Sequence, residues 1–366
     1  MNLLEVLVSS IARRLGVMAI AAAFAAGACS GGSSTTSPSI QPSGFVSAST
    51  APSAASPSGT PAPVKLVVGL GYIPSVQFAP FYLADQAGYY GDAGLSVEFQ
   101  NKIDPDLITL VGQGAIDIGI GDGTSVIPAV SQGIPVKYIT TVYGQYPDVV
   151  FAKASSGIKT AADLKGKRIG TPGRYGSGWI MLQALLGSAG LTTNDVTIVE
   201  YPDYTQRAAV AQGAVDAATG FSNNEPVQLE LDGTKTVVLH VDAITPLPGP
   251  GLISATKTLA DKHDAVARFV AATLRAMNAI RLNPSVGLEA AIKAVPELAS
   301  GRELQTAVLN ATILSWSGPI QAAKGLGVID REGWARSIEY LTTLGLVPNP
   351  VTVDDLVLDD LIPVGG

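Results

Sequence analysis

The chain has little of what most catalytic chemistry and most charged partners require. Of its 366 residues, two are histidine, one is cysteine and 14% are charged. A single cysteine, Cys29, excludes an intrachain disulfide. His240 and His263 are too far apart in the chain for ordinary ligand spacing, so no metal is expected. Neither a Gly-x-Ser-x-Gly elbow nor a His-Glu-x-x-His helix is present, and no cofactor motif stands in their place. Basic runs are also missing. With a formal charge of −7 and no Lys/Arg clusters, nucleic acid is not a partner.

What the chain has in quantity is apolar surface and backbone punctuation: 47% hydrophobic residues, 40 glycines and 24 prolines. That is enough for one large or two medium domains with sizeable cores and many strand-to-helix turns. Near the start, Arg13 and Arg14 precede the apolar stretch Leu15–Ala28, which is too short for a convincing membrane span. Cys29 follows at once. Ala26-Gly-Ala-Cys29 resembles a bacterial lipobox, with Ala26 at a position where leucine is commoner, so residues 1–28 read as a signal peptide and Cys29 as the lipidated residue. The arginine pair also permits twin-arginine export, and an ordinary signal peptide with an incidental cysteine is the bland alternative. From 29 to 63 the chain is almost entirely Ser, Thr, Pro, Gly and Ala, with too little apolar surface to repay ordering, and reads as a flexible tether.

Beyond Val64 the pattern occurs twice. Lys65–Leu70 reads as a buried strand, Phe78–Tyr90 as a helix and Ser96–Phe99 as a strand. A helix over 105–112 and the strand Ile118–Ile120 follow. The second copy runs through strands at Lys167–Gly170, Val196–Glu200 and Ala217–Thr219, with helices over Gly178–Ala189 and Tyr204–Ala211. Ala-Gly-Leu at 93–95 returns 96 residues later, and Gln113-Gly-Ala-Ile-Asp117 returns 99 residues later as Gln212-Gly-Ala-Val-Asp216. The chain is therefore an internal duplication of β-α-β-α-β units. Each copy predicts a mostly parallel sheet flanked by helices, with a ligand cleft between the two lobes at the strands' carboxyl ends. In each pentad the glycine ends a helix and the aspartate leads into a strand, so the pentads mark the fold rather than a site.

Helices expected at 257–282, 286–295, 302–316 and 331–344 pack on the first lobe, and Leu247-Pro-Gly-Pro-Gly251 is a return crossing between lobes. The expected organisation is a first lobe begun by 64–153, a second lobe over 154–248, and a return to the first lobe with C-terminal helices over 249–366.

Tyr72-Ile-Pro-Ser-Val-Gln-Phe-Ala-Pro-Phe-Tyr-Leu-Ala84, Gly88-Tyr-Tyr90, Gly114–Asp122, Leu164–Gly170 and Asn223-Asn-Glu-Pro226 together resemble NMT1/THI5-like solute-binding proteins. The resemblance covers roughly residues 64–345. It implies a two-lobed type II periplasmic-binding-protein fold and an ABC permease as partner. It also puts the ligand among riboflavin, thiamine-precursor pyrimidines (formylaminopyrimidine or hydroxymethylpyrimidine), sulfonates or nitrate; Cys29 and the tether place the protein at the cell membrane, facing outside the cytoplasm, and it is expected to be a monomer. Thiamine-pyrimidine synthases share the resemblance but carry a cysteine-rich iron-binding motif, for which this chain has no cysteine beyond Cys29. It is therefore expected not to be an enzyme; a ligand sensor is the other class in play.

Candidate ligand contacts are polar and aromatic residues at the cleft-facing turns: Tyr72, Gln77 and Phe78; Asp122 and Thr124; Tyr143; Arg174, Tyr175 and Ser177; Asn223, Asn224 and Glu225. The alternatives are structural. Asp122 or Asn224 would cap the helix that follows, and Arg174 and Tyr175 would form a solvated loop. Tyr72, Tyr143 and Tyr146 are stacking platforms if they face the cleft. Trp179, Trp316 and Trp334 read as core packing. With Arg174 the only obvious cation, the inventory suits a flat nitrogen heterocycle, riboflavin first and an aminopyrimidine second.

Overall fold

The computed structural model describes residues 62–101, 106–241 and 247–363. The signal segment, Cys29 and the tether as far as residue 61 lie outside the described residues. Strand β1 (Val64–Gly71) leads through α1 (Ala79–Gln86) and α2 (Tyr89–Asp92) to β2 (Leu95–Asn101), then α3 (Leu107–Gly112), β3 (Ile118–Gly121), α4 (Gly123–Ser131) and β4 (Val136–Thr141). The next group is β5 (Asp148–Lys153), β6 (Arg168–Thr171), α5 (Gly176–Ser188), β7 (Thr197–Glu200), α6 (Gln206–Gln212), β8 (Ala217–Phe221), α7 (Glu225–Leu231) and β9 (Thr236–His240). The chain ends with β10 (Gly251–Ala255), α8 (Thr256–Leu282), α9 (Pro284–Ala294), α10 (Arg302–Ser315), α11 (Pro319–Lys324), α12 (Arg331–Thr343) and α13 (Val353–Leu356).

The strands form two five-stranded sheets of the same design, ordered β2-β1-β3-β10-β4 and β7-β6-β8-β5-β9. The duplicated strands pair in parallel, β1 with β2 and β3, and β6 with β7 and β8. The fourth strand of each sheet runs antiparallel to both neighbours, and in each case it follows a crossing between lobes. This corrects one boundary. The expected first lobe ran to residue 153, but Asp148–Lys153 pairs with β8 and β9, so the outward crossing occupies residues 142–147. The return crossing ends at residue 250, as the Pro/Gly run suggests. The two crossings are tied together: Val142 and Tyr143 N–H both donate to Pro250 O (3.1 and 2.8 Å).

The pentads act as fold markers in both copies. Gly114 (φ 75°) and Gly213 (φ 76°) take the left-handed conformation that ends the preceding helix, which a Cβ would penalise. Asp117 Oδ2 then accepts from Val67 N–H (2.9 Å), and Asp216 Oδ2 from Arg168 N–H (2.8 Å), closing the same gap in each sheet. Lys262, where α8 departs from helical geometry, reaches Asp117 Oδ1 at 2.7 Å.

Four apolar clusters cover the sheet faces. One packs β1 and β3 under α1, α8, α9 and α10, another sets α3, α4, α12 and α13 on the opposite face. The second sheet is covered by α5 on one side and by α6 and α7 on the other. Trp316 and Trp334 are fully buried as expected; Trp179 is half-buried.

Candidate functional site

The carboxyl ends of the duplicated strands converge where the lobes meet, and the lobes are in direct contact there. The turn after β8 sends Asn223 across the cleft. Its Nδ2 donates to Gln77 Oε1 at 2.9 Å and to Thr312 Oγ1 at 2.8 Å, with the Tyr143 hydroxyl at 3.5 Å. Gln77 sits in the single turn of 3-10 helix after β1 and Thr312 on α10, both in the first lobe, while Tyr143 belongs to the outward crossing. All four side chains are buried. Nearby, the Tyr72 ring meets the Tyr204 ring edge-on at 4.8 Å, again from opposite lobes. Tyr204 is the one described non-glycine residue at positive φ (60°), and such strain persists where the surrounding structure imposes it.

Three buried carboxyls line the same region. Asp122 caps α4, accepting from Thr124 N–H (2.8 Å) and Ser125 N–H (3.1 Å), so the capping alternative is realised. Thr124 Oγ1 also lies 3.2 Å from the Tyr146 hydroxyl. Glu225 Oε2 accepts from Phe221 N–H (2.8 Å), turning the chain back before α7, and Oε1 accepts from Asn224 Nδ2 (3.3 Å). Asn224 makes no capping bond; its Oδ1 accepts from Gln228 Nε2 (2.7 Å). Asp148, at the head of β5, accepts from Ser177 Oγ (3.1 Å). Burial pushes all three carboxyls above the usual range, Asp148 furthest, because the charges of Asp122 and Glu225 add to its desolvation.

Not every residue anticipated from the sequence joins this group. Arg174 stays exposed at the end of β6, bonded to Glu200 at 3.0 Å and lying 5.5 Å over the Trp179 ring. Trp179 thus packs at the margin of the second-lobe core and also carries an arginine on its ring. Tyr175 precedes α5, half-buried against Gly173. Phe78 packs into the first-lobe core beside Phe81. Conversely, the structure brings in Asp148, Tyr204, Thr219 and Thr312, which sequence reasoning does not identify. One signal was available for Asp148: a charged residue opening an apolar run, Val149-Val-Phe-Ala152, directly after Pro147. Among the described residues, no group of three His, Cys, Asp or Glu side chains could hold a metal ion.

Comparison with known proteins fits this architecture. A family model described as NMT1/THI5 like matches residues 75–286. The riboflavin-binding protein RibY of Chloroflexus aurantiacus is 32% identical over 88% of this chain and 95% of its own length. The 4-amino-5-hydroxymethyl-2-methylpyrimidine phosphate synthase of Legionella pneumophila is 27% identical, over 50% of this chain and 57% of that enzyme. The alkanesulfonate-binding protein SsuA from Xanthomonas axonopodis pv. citri, solved with MOPS bound, superposes with a TM-score of 0.64 at 20% identity, covering 81% of this chain and 99% of that one. The two sheets, their crossings and these matches together establish that the chain belongs to the NMT1/THI5-like family and has the periplasmic-binding-protein fold.

Proposed function

We propose that the protein is the extracytoplasmic solute-binding component of an ABC importer, that it catalyses nothing, and that it captures a flat nitrogen heterocycle, riboflavin first. The observation that carries this reading is Asn223, which reaches from the second lobe into a buried pair of polar groups on the first. A polar contact made between two lobes only when they meet is what a capture-and-release cleft requires. The riboflavin assignment draws on the likeness to RibY over nearly the whole of both chains. Tyr72, Tyr143 and Tyr146 are the aromatic groups available for stacking, and Gln77, Asn223, Asn224 and Glu225 the directional polar ones. A thiamine-precursor pyrimidine is the second reading, favoured by the likeness to the pyrimidine phosphate synthases.

Stacking on a tyrosine should quench riboflavin fluorescence when the purified protein is added, and taurine or nitrate should not reverse the quenching. Tyr72→Ala should weaken binding about fivefold, the value of roughly 1 kcal/mol for one aromatic contact. Undiminished fluorescence at saturating protein would end the riboflavin reading.

Cys29 is proposed as the lipid anchor of a monomer. Labelled palmitate should then enter the wild type and be lost in Cys29→Ala; equal labelling of both would remove the anchor.

A further inference from the structure

Buried polar atoms in folded proteins nearly always have partners, so the exceptions point to what is absent. Among the described residues five buried side-chain atoms have no partner of hydrogen-bond geometry: Asp148 Oδ2, Gln206 Oε1, Thr219 Oγ1, Asn223 Oδ1 and Trp316 Nε1. Four belong to the second lobe, and three of those four accept only. Two of these residues approach the same glycine: a Cβ placed on Gly178, in the first turn of α5, would lie 3.4 Å from Asp148 Oδ1, the oxygen that Ser177 holds, and 3.6 Å from Thr219 Oγ1. β5 and β8 are paired through Val150 and Thr219 and through Asp148 and Phe221, which puts these side chains on one sheet face. Phe221 lies 6.4 Å from Tyr143, beside the Asn223 contact.

We propose that Asp148 selects the ligand: its free oxygen accepts a hydrogen bond from a ring N–H or hydroxyl of a neutral or cationic heterocycle, and its carboxylate turns anions away. The proposal rests on the reading of the cleft as a solute site, and deepens it. Asp148 is 3% exposed and Thr219 1%, so neither is satisfied by bulk water. One Asp148 oxygen accepts from Ser177 at the start of α5 and the Tyr146 hydroxyl also bears on the carboxyl, which fixes the group while Oδ2 keeps no partner of full hydrogen-bond geometry. The groups facing it are Asp122 at the start of α4, Tyr146 from the crossing, Ser177 from α5 and Glu225 from α7. None of these is a cation. Arg207, whose charge acts on Glu225, is committed to Asp232 at 2.7 Å, and Arg174 to Glu200. An anionic headgroup would thus be buried with no counter-charge, and repelled wherever these carboxyls are ionised.

Asp148→Asn, which keeps the shape and replaces one acceptor oxygen with a donor, tests this. Riboflavin, 4-amino-5-hydroxymethyl-2-methylpyrimidine and methanesulfonate are titrated into wild type and variant, following the melting temperature and, for riboflavin, fluorescence. The neutral ligand that binds should lose roughly ten- to thirtyfold in affinity in the variant, the cost of leaving its donor facing an amide N–H. Wild-type affinity for riboflavin should also rise from pH 5 towards pH 8. A donor stabilises the ionised carboxyl, burial disfavours that form in the free protein, and binding therefore releases a proton; the variant's profile should be flatter, its remaining slope coming from Asp122 and Glu225. If riboflavin fails but the aminopyrimidine binds and is weakened by Asp148→Asn, the riboflavin reading falls and this proposal stands. Equal affinity of a neutral ligand for both proteins overturns it. So do methanesulfonate binding to the wild type, a riboflavin affinity that falls with pH, and a wild type that no neutral ligand stabilises.

Discussion

Replacing Gly251 with valine is expected to lower the melting temperature by roughly 6–12 °C, from a loss of about 3 kcal/mol. Gly251 opens β10, the strand inserted between β3 and β4, and its ladder partners are Gly121 and Thr141. Any Cβ there would run into the Thr140 carbonyl oxygen and the Tyr138 hydroxyl. The first is backbone in a paired strand and cannot swing aside. The second donates to Gly249 O at 3.0 Å, and its ring rests 4.7 Å from Trp334, so moving it would loosen both the return crossing and a buried aromatic pair. Gly91→Ala is the control, because nothing lies within 4 Å of that Cβ; its effect should stay within about half a kcal/mol. Thermal melting of the two variants side by side decides the matter, and a Gly251→Val protein that melts with the wild type would show that β10 has room the structure denies it.

Asn223→Leu should weaken ligand binding about a hundredfold without a comparable loss of fold. Leucine matches asparagine in size but donates nothing to Gln77 or Thr312, so about 3 kcal/mol of the closed arrangement is lost. Each 1.4 kcal/mol shifts an equilibrium tenfold, and affinity falls with the population of the binding-competent state. Small-angle scattering of the ligand-free variant should show a larger radius of gyration than the wild type. Thr312→Val removes one of the two short contacts and should produce a smaller change of the same sign. An unchanged radius together with unchanged affinity would mean that Asn223 fills space and does not hold the lobes.

The repeated elements were legible because repetition is a sequence property. The Ala-Gly-Leu triplets are centred on Gly94 and Gly190, both at positive φ, and the pentads behave alike in both copies. The antiparallel strands were less legible. β5 and β10 have no counterpart in the duplicated β-α-β-α-β pattern, and a fully buried strand such as Gly251–Ala255 lacks the alternation that marks a half-exposed one. Asp148 was missed with its strand. For the cleft, sequence identified the turns but not the direction of each side chain. Asn223, Asn224 and Glu225 are consecutive, yet they divide: Asn223 crosses to Gln77 and Thr312, Asn224 reaches Tyr72 as well as α7, and Glu225 bonds within the turn. Arg174 was the obvious cation in composition, but Glu200 and Trp179 hold it at the exposed edge, and neither contact is visible from spacing along the chain.

The antiparallel insertion also fixes an order of completion during synthesis. Strands β5 to β9 occupy residues 148–240 without interruption, so the second sheet has all its members once that segment has emerged. The first sheet does not. Its β3 and β4 are made early but pair with β10 instead of each other, so until residue 255 exists they face across a gap of about two strand spacings, roughly 9–10 Å. Both edges bordering that gap present unpaired N–H and C=O groups, the kind of edge that recruits foreign strands. The half of the molecule translated first is therefore finished last, and for the interval in between it is the half that depends on being left unpaired.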